Sequence, residues 1–185
     1  MSDSRGYLEI ILGPMFSGKT TYLIDLYKEY IDYDKKILVV NYSEDKRYHT
    51  NMLSTHDKIM IPCIFVSKLS ELIEKDLIEK SDIILINEGQ FFEDIFDCVF
   101  DFVENHKKSV HVCGLDGDFR RNKFGNLLDL IPYCNDVIKL KANCMYCDSY
   151  ALFSHRLTED KKQVVIGSDN YVPLCRNCYK EKNIC

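Results

Sequence analysis

The chain has 185 residues, 46% hydrophobic and 29% charged, which suits one ordinary domain with a small appendage and a real buried core. No apolar run approaches the roughly 20 residues that cross a bilayer, and the opening Met-Ser-Asp-Ser-Arg-Gly-Tyr lacks the regions of a signal peptide, so a cytoplasmic protein with no membrane partner is expected. The formal net charge of −5, without a long basic run, argues against a nucleic-acid binder, whose affinity rests on a cationic surface.

In chain order, Tyr7–Leu12 is an apolar run ending at a glycine and reads as a buried strand. Leu23, Tyr27, Tyr30 and Ile31 then fall at helical spacing, and Ile37–Val40 is a second β-branched run. The stretch 41–58 is polar and aperiodic and reads as a long functional loop. Ile59–Val66 is strand-like, with Pro62 as an edge or a break, and Leu69, Leu72, Ile73 and Leu77 suggest a helix capped by Ser67. Ile83–Ile86 is a compact strand; Ile95, Val99, Phe102 and Val103 mark a helix; Val110–Cys113 and Val137–Leu140 are further strands. Such alternation predicts an α/β fold, a parallel sheet flanked by helices. Beyond about residue 141 the pattern changes. Ala151–Leu157 and Gln163–Ile166 read as two strands joined by a charged turn at Glu159–Lys161, so residues 1–140 and 141–185 are expected to form two domains.

Gly13-Pro14-Met15-Phe16-Ser17-Gly18-Lys19-Thr20 matches G-x-x-x-x-G-K-[ST] in the right context, strand before and helix after. Glycines let successive N–H groups turn toward phosphate oxygens, and the helix N-terminus adds positive potential. Lys19 would then reach the β- and γ-phosphates of a nucleoside triphosphate such as ATP, and Thr20 would ligate Mg²⁺. A carboxylate near that metal is expected at the end of a neighbouring apolar strand. After Ile83–Ile86, however, comes Asn87, which can accept a hydrogen bond but carries no charge, and then Glu88, a candidate general base. Asp57, in Thr55-His56-Asp57, is a second acid that could support the metal, or a plain loop aspartate.

Nine cysteines without a secretory signal do not imply disulfides. Cys63, Cys98, Cys113 and Cys134 lie in apolar surroundings and read as small core residues. Cys144-x-x-Cys147 and Cys175-x-x-Cys178 form two pairs, each able to supply two corners of a tetrahedron, and four thiolates leave no open position, so structural Zn²⁺ is expected. A redox pair is the alternative.

Together these features resemble the type II thymidine kinases, from about Leu8 to Tyr179. The resemblance rests on Gly13–Thr20, Thr55-His56-Asp57, Glu88-Gly89-Gln90-Phe91-Phe92, Leu115-Asp116-Gly117-Asp118-Phe119-Arg120-Arg121, the four paired cysteines, and Tyr171 ahead of Cys175. It implies a RecA-like P-loop core and a small zinc-ribbon-like domain with a lasso loop over the nucleoside. By motif, Glu88 takes the proton of the thymidine 5′-hydroxyl; Thr20, Asp57 and Asn87 stand around magnesium; and Met15, Phe91, Leu115, Phe119, Phe124 and Tyr171 occupy base-pocket positions. Arg156 matches a family arginine near the site, with a surface ion pair as the alternative.

The resemblance further implies ATP and thymidine as substrates, dTTP as an inhibitor, and a homotetramer. This chain departs from the family pattern at Asn87, where aspartate is usual. Its Ile166-Gly167-Ser168-Asp169-Asn170-Tyr171 is also one residue short of the usual lasso. These departures raise an alternative, a catalytically weakened dTTP- or ATP-binding regulatory module of the same fold.

Overall fold

A computed structural model describes residues 5–43, 52–54, 59–165 and 167–183. The chain enters through β1 (Tyr7–Leu12) and α1 (Lys19–Asp32), then β2 (Ile37–Tyr42). Two short strands, β3 (Met52–Ser54) and β4 (Met60–Pro62), pair antiparallel with each other, and β5 (Ile64–Val66) follows. Next come α2 (Ser70–Glu74), β6 (Ile83–Ile86), α3 (Ile95–Glu104), β7 (Ser109–Gly114) and β8 (Asp136–Lys139). The central sheet has six strands in the order β5-β2-β6-β7-β1-β8, every neighbouring pair parallel.

A parallel sheet is covered on both faces, which is why its strands read as continuous apolar runs rather than alternating ones. Successive side chains still part to opposite faces. Ile10, Leu12, Ile84, Ile86, Val110 and Val112 pack with Leu69, Leu72, Val99 and Phe102 of the α2 and α3 layer. Ile11, Leu85 and Cys113 pack with Leu23 and Ile24 of α1 on the other face.

The C-terminal segment adds β9 (Ala142–Asn143), β10 (Tyr150–Ala151), β11 (Phe153–Arg156), β12 (Tyr171–Leu174) and α4 (Arg176–Lys182). β9 pairs with β10 and β11 with β12, all antiparallel, around a small core of Ala142, Ala151, Val172, Leu174 and Tyr179.

Three local expectations need correction. Gln163–Val165 is not a strand: β11 takes β12 as its partner, and the 157–165 connection wraps the Arg156 side chain instead. The helix after Ser67 is only one turn, and Ser67 does not cap it. Glu71 accepts the N–H groups of Ser67 and Lys68, while Asp94 reaches across from the start of α3 to accept those of Leu69 and Ser70. The stretch 41–58 is not wholly loop, since β2 runs through Tyr42 and Met52–Ser54 is a strand. Cys63, Cys98 and Cys113 are buried as expected, whereas Cys134 is only half-buried.

Candidate active site

The phosphate loop forms where β1 ends. Its shape depends on glycine at Gly13, where a Cβ would come within 2.6 Å of Ser17 Oγ and 2.8 Å of the Leu140 carbonyl oxygen. Gly18 adopts φ 83°, a left-handed turn that a side chain would strain, and it launches α1. Lys19 Nζ folds back onto the carbonyls of Gly13 (3.1 Å) and Pro14 (2.8 Å), so its charge sits inside the loop. Ser17 Oγ is buried without a hydrogen-bond partner among the described residues. A buried hydroxyl with no acceptor is costly unless a ligand satisfies it, and a phosphate oxygen suits that role. The Met15 N–H donates to Ser154 Oγ at 2.9 Å, tying the loop to β11.

Beside this loop lies the carboxyl end of β6. Asn87 is 2% exposed; its Nδ2 donates to Asn41 Oδ1 at 2.9 Å, and its Oδ1 accepts from the Cys113 thiol at 3.0 Å. Thr20 Oγ1 lies 3.5 Å from the same Oδ1. Thr20 and a carbonyl oxygen therefore face each other where a P-loop metal would sit. Both are oxygen donors of the kind Mg²⁺ prefers, one of them through water, so the residues fit that ion. Burial pushes the Cys113 thiol up to about 12, helped by the negative charge of Glu88, so it remains a neutral S–H donor.

Glu88 takes a left-handed conformation (φ 56°, ψ 41°), uncommon for a residue with a side chain, as the chain turns from β6 into the short 3₁₀ turn Gly89–Phe91. Its Oε2 accepts from Gln90 Nε2 at 2.6 Å, and Gln90 Oε1 accepts the Leu115 N–H at 2.9 Å. Phe91 stacks on Tyr42 with centroids 5.3 Å apart and meets Phe124 edge-on at 5.4 Å.

A second aromatic group lies toward the C-terminal segment. The Arg156 guanidinium sits 3.7 Å over the Phe119 ring and 5.0 Å from the Tyr171 ring. Arg156 is 5% exposed and donates to the carbonyls of Asp160, Lys162 and Gln163 and to the Tyr171 hydroxyl. A surface ion pair is thereby ruled out: its partners among the described residues are backbone oxygens, one phenol and aromatic faces. Asp118 shapes the neighbouring turn, accepting the N–H groups of Arg120 and Asn122 at 2.9 Å each and the Gln163 amide at 3.1 Å. The Tyr179 hydroxyl of α4 donates to the Phe119 carbonyl at 2.6 Å.

Cys144, Cys147, Cys175 and Cys178 bring their sulfurs within 4.8 Å of one another. Cys147 lies 3.7 Å from both Cys175 and Cys178, sulfur to sulfur. A tetrahedral ion with Zn–S bonds of about 2.3 Å needs sulfurs about 3.8 Å apart, so spacing and donor type fit zinc. Backbone N–H groups of Cys175 and Cys178 already point at sulfurs, at 3.3 and 3.5 Å. Burial pushes the Cys144 thiol up, but the N–H groups of Cys175 and Tyr146 and the neighbouring thiols outweigh it and lower the group, while hydrogen bonding to Cys175 raises Cys178, so the sulfurs share their protons as one set.

The family model described as thymidine kinase matches residues 6–179. The chain belongs to the thymidine kinase family. A thymidine kinase from Yaba monkey tumor virus (strain VR587) is 43% identical over 184 residues, 99% of each chain. One from Variola virus (isolate Human/India/Ind3/1967) is 43% identical over 175 residues, 94% of this chain and 97% of its own. A rice thymidine kinase, from Oryza sativa subsp. japonica, is 38% identical over 184 residues, covering 97% of this chain and 68% of its own. Among the described residues no helix is long and apolar enough to cross a membrane.

Of the residues that the thymidine kinase resemblance singles out, Gly13–Thr20 follows β1 while Asn87 and Glu88 follow β6, the two strands that flank β7, and Thr20 meets Asn87 there. Phe91 pairs with Phe124, and Arg156 lies over the rings of both Phe119 and Tyr171. No ring contact joins Phe91 or Phe124 to Phe119 or Tyr171 among the described residues. Leu115 enters through its backbone N–H, bound to Gln90, and Met15 through its own, bound to Ser154. Asp57 lies outside the described residues. The residues that sequence reasoning gave no role are Asn41, Gln90, Asp118, Ser154 and Gln163. Asn41 and Gln90 carried a readable signal, being polar side chains on or beside apolar runs at the ends of central strands.

Proposed function

We propose that the protein transfers the γ-phosphate of ATP to the 5′-hydroxyl of thymidine, giving thymidine 5′-monophosphate for nucleotide salvage. The observation that carries this reading is the 43% identity to a thymidine kinase across 99% of both chains. Residues 13–20 would cradle the triphosphate. Lys19 would exchange the carbonyls of Gly13 and Pro14 for β- and γ-phosphate oxygens, and Ser17 would donate its hydroxyl. Thr20, Asn87 and Asp57 would hold Mg²⁺, which when bound neutralises charge on the β- and γ-phosphates.

Glu88 would accept the 5′-hydroxyl proton as the oxygen attacks. Met15, Phe91, Leu115, Phe119, Phe124 and Tyr171, with Arg156 behind Phe119, would line the thymine pocket. An apolar wall recognises the 5-methyl group, an effect worth about 1–3 kcal/mol. In this reading residues 1–140 form a RecA-like core, and residues 141–185 form a zinc-ribbon-like domain whose Cys144, Cys147, Cys175 and Cys178 hold structural zinc beneath a lasso loop. Deoxyuridine is a second acceptor, dTTP an inhibitor, and the working form a cytoplasmic homotetramer.

The test is a steady-state assay of the purified protein with Mg²⁺ and ATP against thymidine, deoxyuridine and deoxycytidine. Thymidine should be phosphorylated fastest; no thymidine 5′-monophosphate at any pH between 6 and 9, with about 1 mM of each substrate, the upper end of ordinary KM values, ends the proposal. Asn87 favours the second reading, a weakened nucleotide-binding module. Tight dTTP binding with negligible turnover, restored by Asn87→Asp, would select it.

A further inference from the structure

We infer that Gln90 is a positioning residue that fixes the Glu88 carboxylate for proton transfer, a role that rests on Glu88 being the base of the proposed reaction. The orientation of the Gln90 amide is set by the structure. Leu115 N–H can only donate, so the Gln90 atom 2.9 Å from it must be the carbonyl oxygen. The amide nitrogen is thereby turned toward Glu88 Oε2, 2.6 Å away. A carboxylate oxygen can accept this bond, so the amide fixes the carboxylate's plane.

The side chain has nowhere else to go. Gln90 is 3% exposed. A Cβ at Gly114 would come within 2.5 Å of Gln90 Oε1, and one at Gly125 within 2.2 Å of the Gln90 carbonyl oxygen, so both neighbouring glycines are filled by Gln90 itself. Gly125 has φ 61°, which favours glycine there in any case. The arrangement couples the left-handed residue at the end of β6 to the first residue after β7, where the Leu115–Arg121 segment begins. Lys19 from α1 and Cys113 from β7 also act at this point, and the Cys113 thiol feels the charges of both Glu88 and Lys19.

The experiment compares wild type, Glu88→Gln, Gln90→Glu and Gln90→Met, recording melting curves, kcat and KM. Gln90→Glu keeps an acceptor for the Leu115 N–H but replaces the amide donor with a second carboxylate facing Glu88, so kcat should fall roughly 10²-fold, the scale of a misplaced catalytic group. Gln90→Met removes the donor and sets apolar atoms beside Glu88, and its kcat should fall by a similar factor. The KM for ATP should stay within about twofold in both, because neither change removes a contact of the phosphate loop. A brace that merely held Leu115 would leave the kcat of Gln90→Glu near wild type, since that variant keeps the acceptor. A kcat near wild type in either variant that folds, with Glu88→Gln inactive, overturns the inference alone; a fully active Glu88→Gln overturns the base reading and this inference with it.

Discussion

Ser154 Oγ accepts the Met15 N–H at 2.9 Å, so β11 holds the phosphate loop from outside the central sheet. Ser154 is buried, and its strand pairs with β12, which runs directly into Cys175. The loop that grips phosphate and the segment that can hold zinc are therefore joined by one hydrogen bond and a few residues of strand.

Ser154→Ala leaves the Met15 N–H unsatisfied in a half-buried loop, a loss of about 1–3 kcal/mol. ADP affinity should fall about tenfold or more, each 1.4 kcal/mol being a factor of ten, while Ser154→Thr, which keeps the hydroxyl, should stay near wild type. Calorimetric titration with Mg²⁺-ADP distinguishes them; equal affinity for all three proteins removes the hydrogen bond from the account.

Arg156→Lys should raise the KM for thymidine about tenfold, the worth of one or two lost hydrogen bonds, with a smaller change in kcat. A lysine is a point charge on a flexible stem and cannot hold three carbonyls and a phenol while lying flat on Phe119. Limited proteolysis within 157–165 should quicken in the variant. Unchanged cleavage and unchanged KM would show that the segment holds itself.

Arg156 also marks how far the sequence could be read. The strand–glycine–helix run at Tyr7–Asp32 was legible because strand period, glycine spacing and helix period all agree there, and the paired cysteines were legible because ligand spacing is short-range. The partners of Arg156 are backbone carbonyls, which leave no trace in residue identity. The same wrapping explains why Val164 and Val165, β-branched and strand-like in isolation, are not a strand: their segment is held around a guanidinium. The shortness of α2 was hidden for a related reason: Asp76 turns left-handed (φ 54°), and its N–H and that of Leu77 close back on the carbonyls of Ile73 and Leu72, which ends the helix before Leu77. Asn41 was unreadable as a partner of Asn87 until the parallel register set β2 beside β6.

His111 predicts a pH dependence of stability. It is 2% exposed, between Glu9 (2.7 Å), the Tyr30 hydroxyl (2.9 Å) and Ser109 (3.3 Å). Burial lowers its pKa, and the hydrogen bond and charge of Glu9 only partly oppose this. With the folded pKa below the unfolded value of about 6.5, the unfolded chain takes up the proton first. Stability from this group is thus full above about pH 6.5 and is lost as pH falls toward the folded pKa. His155, also lowered by burial, adds in the same direction. The melting temperature should drop between pH 7 and 5.5, and His111→Gln should flatten part of that slope. A slope identical to wild type would assign the drop to other groups.

Removing zinc should disable thymidine binding through the packing of α4. Cys175 and Cys178 stand at the start of that helix, and Tyr179, next in the chain, donates its hydroxyl to the Phe119 carbonyl at 2.6 Å. The Arg121 guanidinium lies 4.7 Å over the Tyr179 ring, and those of Arg121 and Arg176 lie 5.4 and 5.2 Å from the Phe153 ring. A core this small would take most of its order from a bound metal, as in small domains that fold only when loaded. Chelation, or Cys144→Ser, should lower the melting temperature, release the Phe119 turn and weaken thymidine binding. ATP binding should weaken less, because Gly13–Thr20 keeps its support from β1 and α1 and loses only the Ser154 bond. Tyr179→Phe separates the two effects: it keeps the ring and the metal but deletes the bond to Phe119, so thymidine affinity should fall with zinc content unchanged. If thymidine binds the chelated protein as tightly as the loaded one, the path from zinc through Tyr179 to Phe119 does not operate.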